Sequence, residues 1–145
     1  MILDEIVAHK RDEVRLAKSA VREQELRARI PDEKPPLDFR AAVRAPGLSL
    51  IAEVKIASPV KGVFLPDTDP VDLGALYEDS GATILSVLTD EKYFKGSLKT
   101  LTSLKRRVRI PCMRKDFIID PYQIYEARAA GADAFLLIVR CLTDT

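Results

Sequence analysis

The chain has 145 residues, enough for one hydrophobic core of ordinary size, and its 23 basic and 22 acidic side chains nearly cancel. That balance argues against a general binder of nucleic acid or of anionic membrane surface, either of which selects a strong basic excess. No apolar run approaches the ~20 residues needed to span a bilayer, and Asp4, Glu5 and Asp12 in the mixed-charge N-terminus do not read as a signal peptide.

Ile2, Leu3, Ile6, Val7, Val14 and Ala17 recur at helical spacing with charges between them. They predict a helix over 2–20 that extends toward Arg29 and is ended by Pro31 and Pro35-Pro36. A short helix follows over about 38–44, with Asp38 as N-cap and Pro46-Gly47 as the stop. Residues 1–47 thus form an N-terminal helical extension.

From Leu48 a β-α rhythm begins. Strand one is expected at 48–54, followed by a loop rich in Pro and Gly. Asp69 then caps a helix that has Pro70 at its first position. Strand two is expected at 82–88, then a helix over 97–108 with Ser97 at its start. Strand three is expected at 110–114, then a helix opened by Asp120-Pro121, and strand four at 134–140. Gly81 and Gly131 fall where a helix ends and a strand begins at once. The strands are near-continuous apolar runs, as in parallel sheets buried on both faces. Cys112 and Cys141 lie in such runs without metal-ligand spacing; they read as small buried hydrophobes in a reducing, cytoplasmic setting.

Repeated β-α units give an open doubly wound sheet or a (β/α)8 barrel. No Gly-x-Gly-x-x-Gly or Walker-type loop follows a strand, which lowers the dinucleotide-binding reading. Polar residues gather instead just after the strands: Glu53, Lys55 and Ser58, then Thr89 to Lys92, then Lys115 and Asp116. Barrel enzymes place their chemistry there. Alternation puts Glu53 and Lys55 on one face of their strand, and Met113, Lys115 and Phe117 on one face of theirs. A charge at the rim of a buried strand must be paired or neutralised.

Four stretches carry a resemblance. They are Ile51-Ala-Glu-Val-Lys55 with Ser58-Pro59 and Gly62; Leu88-Thr-Asp-Glu-Lys-Tyr-Phe94 with Gly96-Ser97; Arg114-Lys-Asp-Phe-Ile118 with Asp120-Pro-Tyr-Gln123; and Gly131-Ala-Asp-Ala134 with Leu136-Leu-Ile138. In this order the chain resembles the indole-3-glycerol phosphate synthase family over its whole length. Family members often have a basic residue where Ile56 stands and a serine where Val60 stands.

The resemblance implies an α/β fold, a partial (β/α)8 barrel whose first four strands occupy 48–145 behind the helical extension. A complete barrel takes about 250 residues and eight strands, so the chain is expected to be the N-terminal half of the enzyme and inactive alone. The implied reaction is ring closure of 1-(2-carboxyphenylamino)-1-deoxyribulose 5-phosphate with loss of carbon dioxide and water, in tryptophan biosynthesis, without metal or organic cofactor. By the same resemblance Lys115, Lys55 and Glu53 are the catalytic residues: Lys115 is the general acid, Lys55 contacts the substrate's anionic groups and assists proton transfer, and Glu53 orients and balances the lysines or takes part directly. Ser58, Pro59, Phe94, Phe117 and Leu136 bind substrate, while the second carboxylate and the phosphate site come from later strands.

Read without the resemblance, Lys115 is a strand-end lysine reaching solvent, Glu53 and Lys55 a structural pair, and the two phenylalanines and Leu136 core residues. Asp116 reads as a backbone-fixing loop residue, His9 has no role, and Lys105-Arg106-Arg107 is a solvated helix end. A rival from another class is a non-catalytic half-barrel that self-associates or pairs with a complementary half through open strand edges. Another phosphosugar-handling barrel enzyme is a third.

Overall fold

A computed structural model describes residues 2–142. Expectations that touch residues 143–145 lie outside the described part.

The extension consists of α1 (Ile2–Ala20), α2 (Glu23–Arg29), a 3-10 turn at Ile30–Asp32, and α3 (Phe39–Arg44). The single helix expected toward Arg29 is two. Arg22 takes an extended conformation, φ −71° and ψ 147°, which breaks the hydrogen-bond ladder. Pro31 sits at the start of the 3-10 turn, where its missing N–H costs nothing. Asp38 caps α3 by accepting the Ala41 N–H at 2.8 Å.

The remaining strands are β1 (Ile51–Val54), β2 (Ala57–Ser58), β3 (Gly62–Val63), β4 (Ile84–Leu88), β5 (Cys112–Lys115) and β6 (Ala134–Phe135). β1, β4, β5 and β6 form one parallel sheet in that order, and β2 and β3 make a small antiparallel hairpin in the loop after β1. The crossovers are α4 (Pro70–Asp79), α5 (Glu91–Phe94) with α6 (Leu98–Arg107), and α7 (Tyr122–Ala129). Asp69 and Ser97 cap α4 and α6 as their chemistry requires. Gly81 and Gly131 adopt φ of 95° and 90°, the left-handed conformation that ends a helix and that glycine alone takes without strain.

One sheet face packs on the helices. Val54, Leu85, Val87 and Cys112 meet Leu101, Leu104 and Ala127 in the main core. Full burial of each aliphatic side chain stabilises the fold by roughly 1.5–3 kcal/mol. A second cluster joins the extension to the sheet domain, with Val14 of α1 and Leu26 of α2 packed on Tyr122 of α7. The Tyr122 hydroxyl lies 3.0 and 2.8 Å from the carbonyls of Ala17 and Val21, so it also serves the end of α1.

Strand four departs from expectation. Only Ala134 and Phe135 are strand residues, Leu136 still donates its N–H to the Arg114 carbonyl, and Val139–Cys141 turns into a 3-10 helix. Among the described residues no strand pairs on the outer side of β6, so an apolar run alone does not extend it. Strand one is likewise shorter, because Leu48 is exposed and Leu50 enters the ladder only through its carbonyl. Cys112 is buried, but Cys141 is only partly so.

Candidate active site

Parallel strands bring their C-terminal ends to one edge, so the loops after β1, β4, β5 and β6 gather there. Register decides what shares a face. Glu53 pairs with Ser86, Ser86 with Met113, and Met113 with Ala134, while Leu88 pairs with Lys115. Glu53, Lys55, Met113, Lys115 and Leu136 therefore lie on the sheet face opposite the main helix core.

On that face the Lys55 ammonium stands 2.6 Å from the Glu53 carboxylate, and both side chains are about one-third exposed, 35% each. Lys115 is half-buried and, among the described residues, its ammonium has no ion-pair or hydrogen-bond partner. Phe94 and Phe117 approach with ring centroids 6.1 Å apart, forming an apolar wall beside the cationic groups. Phe94 also lines a narrow cleft with Lys55 and Leu88.

The expected binding residues are not all brought together. Ser58 and Pro59 line a separate open cavity of about 360 Å³ with Tyr93, Lys92 and Lys95. The Ser58 hydroxyl is used locally, accepting the Lys61 N–H at 3.2 Å. Leu136 reaches neither cavity and shares only the sheet face. Among the described residues no three or more His, Cys, Asp or Glu side chains gather as a metal site.

Behind this face lies a buried ionic cluster that sequence reading missed. Asp116 and Arg114 flank Lys115 and point the other way, into the protein, as alternation demands. Asp116 Oδ2 meets Arg114 Nη2 at 2.9 Å and the Thr89 hydroxyl at 2.6 Å; its Oδ1 accepts the Phe117 N–H at 2.8 Å. Arg114 also donates to the Gln123 carbonyl and to Glu126. Lys10, from the middle of α1, is completely buried and lies 2.9 Å from Asp90 Oδ2, 3.0 Å from Asp116 Oδ1 and 2.9 Å from Glu13.

Burial alone would raise the Asp116 pKa, but Arg114 and Lys10 outweigh it and hold the carboxyl at about 2. Burial likewise opposes the Lys10 charge, and the two aspartates overcome it, raising that pKa. Glu126 is pushed up by burial despite Arg114. The signal for Lys10 was present in the sequence: Ile6, Lys10 and Val14 form an i, i+4, i+8 stripe, so a charge sits in the inward face of α1. Lys105 is also less solvated than expected, bonding Asp133 at 2.6 Å.

Residues 3–145 match the family model described as indole-3-glycerol phosphate synthase. The chain is 48% identical over 141 residues to an indole-3-glycerol phosphate synthase of Mycobacterium sp. (strain KMS), covering 97% of this chain and 52% of that one. It is 51% identical over 145 residues to that of Microcystis aeruginosa (strain NIES-843 / IAM M-2473), covering 99% and 49%. For Roseiflexus sp. (strain RS-1) the values are 49% over 150 residues, with 99% and 56% covered. The chain thus spans about half the length of the curated relatives it matches.

Proposed function

The chain belongs to the indole-3-glycerol phosphate synthase family, and on that premise we propose that it carries one half of a ring-closing, decarboxylating lyase site of tryptophan biosynthesis. The substrate is 1-(2-carboxyphenylamino)-1-deoxyribulose 5-phosphate. Residues 1–47 serve as the helical extension and 48–145 as the first half of the barrel, in the cytoplasm.

The observation that carries the reading is the common face of Glu53, Lys55 and Lys115 at the C-terminal edge of a parallel sheet. Ring closure moves electron density from the aromatic carbon onto a carbonyl oxygen, which needs a proton donor. Lys115 supplies it, its ammonium uncommitted to any partner among the described residues. Lys55, held by Glu53, attracts the substrate carboxylate and balances charge until carbon dioxide leaves. Phe94 and Phe117 hold the aromatic ring, Leu136 adds an apolar side chain on the same sheet face, and Ser58 and Pro59 shape the loop after β1.

Positioning and proton transfer each lower a barrier by several kcal/mol. With the face open on one side, we expect the 145-residue chain to turn over little substrate alone. Conversion of the synthetic substrate tests the reading: in an active assembly Lys115→Ala lowers turnover by about 10²–10⁴-fold, and an unchanged rate discards the acid role.

A second reading, association with a complementary half or a second copy, is favoured by the exposed apolar side chains Ile51 on β1 and Phe135 and Leu137 at β6, the two ends of the sheet order. Sedimentation decides it: a single monomeric species across concentrations counts against self-association.

A further inference from the structure

We propose that Lys10 is a positioning residue for the backbone that carries Lys115, acting through Asp116 and Asp90; the inference rests on the catalytic reading of Lys115 above. The neighbouring buried positions of α1 are Ile6 and Val14, and an aliphatic residue between them would complete the stripe. Burying a lysine there instead takes its charge out of water, a cost offset only by close partners.

Those partners are the loops that end at the site. Asp116 is the residue after Lys115, and its Oδ1 holds both the Lys10 ammonium and the Phe117 N–H. Asp90 Oδ1 accepts the Tyr93 N–H at 2.7 Å, and its carbonyl accepts the Gly96 N–H. Asp90 Oδ2, 2.9 Å from Lys10, has no hydrogen-bond partner elsewhere among the described residues.

The two loops are joined directly, since the Thr89 N–H donates to the Lys115 carbonyl at 3.1 Å. Lys115 is therefore clamped at its own carbonyl and through both neighbours, Arg114 and Asp116, while its ammonium has no partner among the described residues. Apart from Asp90 Oδ2, which meets only the Lys10 ammonium, the buried side-chain polar atoms of this network are hydrogen-bonded among the described residues. Such a network favours one geometry, and a reacting group gains from being held before substrate arrives. Lys10 ties that geometry to a helix outside the sheet.

The test compares the 15N-labelled chain with the Lys10→Met/Asp90→Asn double variant, which removes one charge of each sign. Asn at 90 can still accept the Tyr93 N–H, so no buried carboxylate is orphaned there. Amide exchange at Tyr93 and Phe117 is expected to accelerate at least about tenfold relative to Leu85 and Ala132 in the core. The Lys115 backbone order parameter is expected to fall from the rigid range near about 0.85 to below about 0.6.

Equal acceleration at all four amides would overturn the proposal, as would unchanged rates or a variant that does not fold, because each means Lys10 serves the whole fold or neither loop. Substrate conversion is read separately in an assembly containing the chain. Selective exchange without conversion discards the catalytic reading and keeps the positioning one; conversion with unselective exchange does the reverse.

Discussion

Lys55 holds its ammonium 2.6 Å from the Glu53 carboxylate, two residues back on the same strand, while both side chains stay about one-third exposed at 35%. Solvent-screened pairs of this kind contribute only ~0–1 kcal/mol. Glu53→Gln is therefore expected to change the unfolding free energy of the chain by less than about 1 kcal/mol in urea titrations. A loss several times larger would show that the pair is kept for structure.

Asp116 gives the fold an acid limb. Its folded pKa of about 2 lies below the ordinary 3.8, so its contribution, on the order of 2 kcal/mol, is complete above pH 3.8 and disappears as pH falls through about 2. Glu126, raised by burial, works in the opposite sense and is relieved by protonation. Asp116→Asn should be less stable than the parent at pH 7, and the difference should shrink between pH 4 and 2. Urea midpoints across that range check it; a constant difference would mean that the charge of Asp116 is not what stabilises.

Lys10 sets the other limb. Its pKa is raised above 10.5, so its stabilisation is complete below that pH and is lost as pH climbs through the raised folded value. Thermal midpoints of Lys10→Met should lie below the parent throughout pH 5–9, since removing one member of a buried ionic group costs about 3–5 kcal/mol. Equal midpoints would show that the ion group contributes nothing net.

Two glycines separate backbone from side-chain crowding. A Cβ on Gly96 would stand 2.1 Å from the Leu88 carbonyl oxygen, whereas on Gly74 it would meet the Leu104 Cδ2 methyl at 2.3 Å. A leucine end can rotate away, so Gly74→Ala should cost about 1–3 kcal/mol. Gly96→Ala must move backbone beside Phe94 and should cost more. Denaturant titration of both variants ranks them; the reverse order contradicts the close approach.

The cysteines should react in sequence. Burial pushes the Cys112 thiol up to about 12 and the side chain is fully covered, while Cys141 is partly exposed. Iodoacetamide followed by mass spectrometry should modify Cys141 first and Cys112 only as the chain unfolds. Comparable rates in the folded chain would place Cys112 elsewhere.

What was legible in the sequence was local. Asp38, Asp69 and Ser97 announced their helices because a short polar side chain satisfies the first free N–H groups, and Gly81 and Gly131 announced the ends. Asp90 carried the same signal for α5, which went unread in a short polar stretch after a strand. β6 could not be sized from its apolar run, because strand length is set by a pairing partner. Lys10 broke the polarity pattern of α1, but what it faces comes from residues 80 and 106 positions further on. Alternation paired Glu53 with Lys55, and Met113 with Lys115, each on its own strand; that both pairs share one sheet face depends on the register through Ser86, and that Lys115 is gripped from behind depends on the fold.

The most direct measurement is indole-3-glycerol phosphate formation from the synthetic carboxyphenylamino substrate. The chain is assayed alone and after mixing with a polypeptide corresponding to the C-terminal half of one of its relatives. Negligible product is predicted from the chain alone, with turnover appearing in the mixture and falling about 10²–10⁴-fold with Lys115→Ala. Substantial product from the chain alone, or a Lys115→Ala mixture as fast as the parent, would contradict the assignment of this face as half of the site.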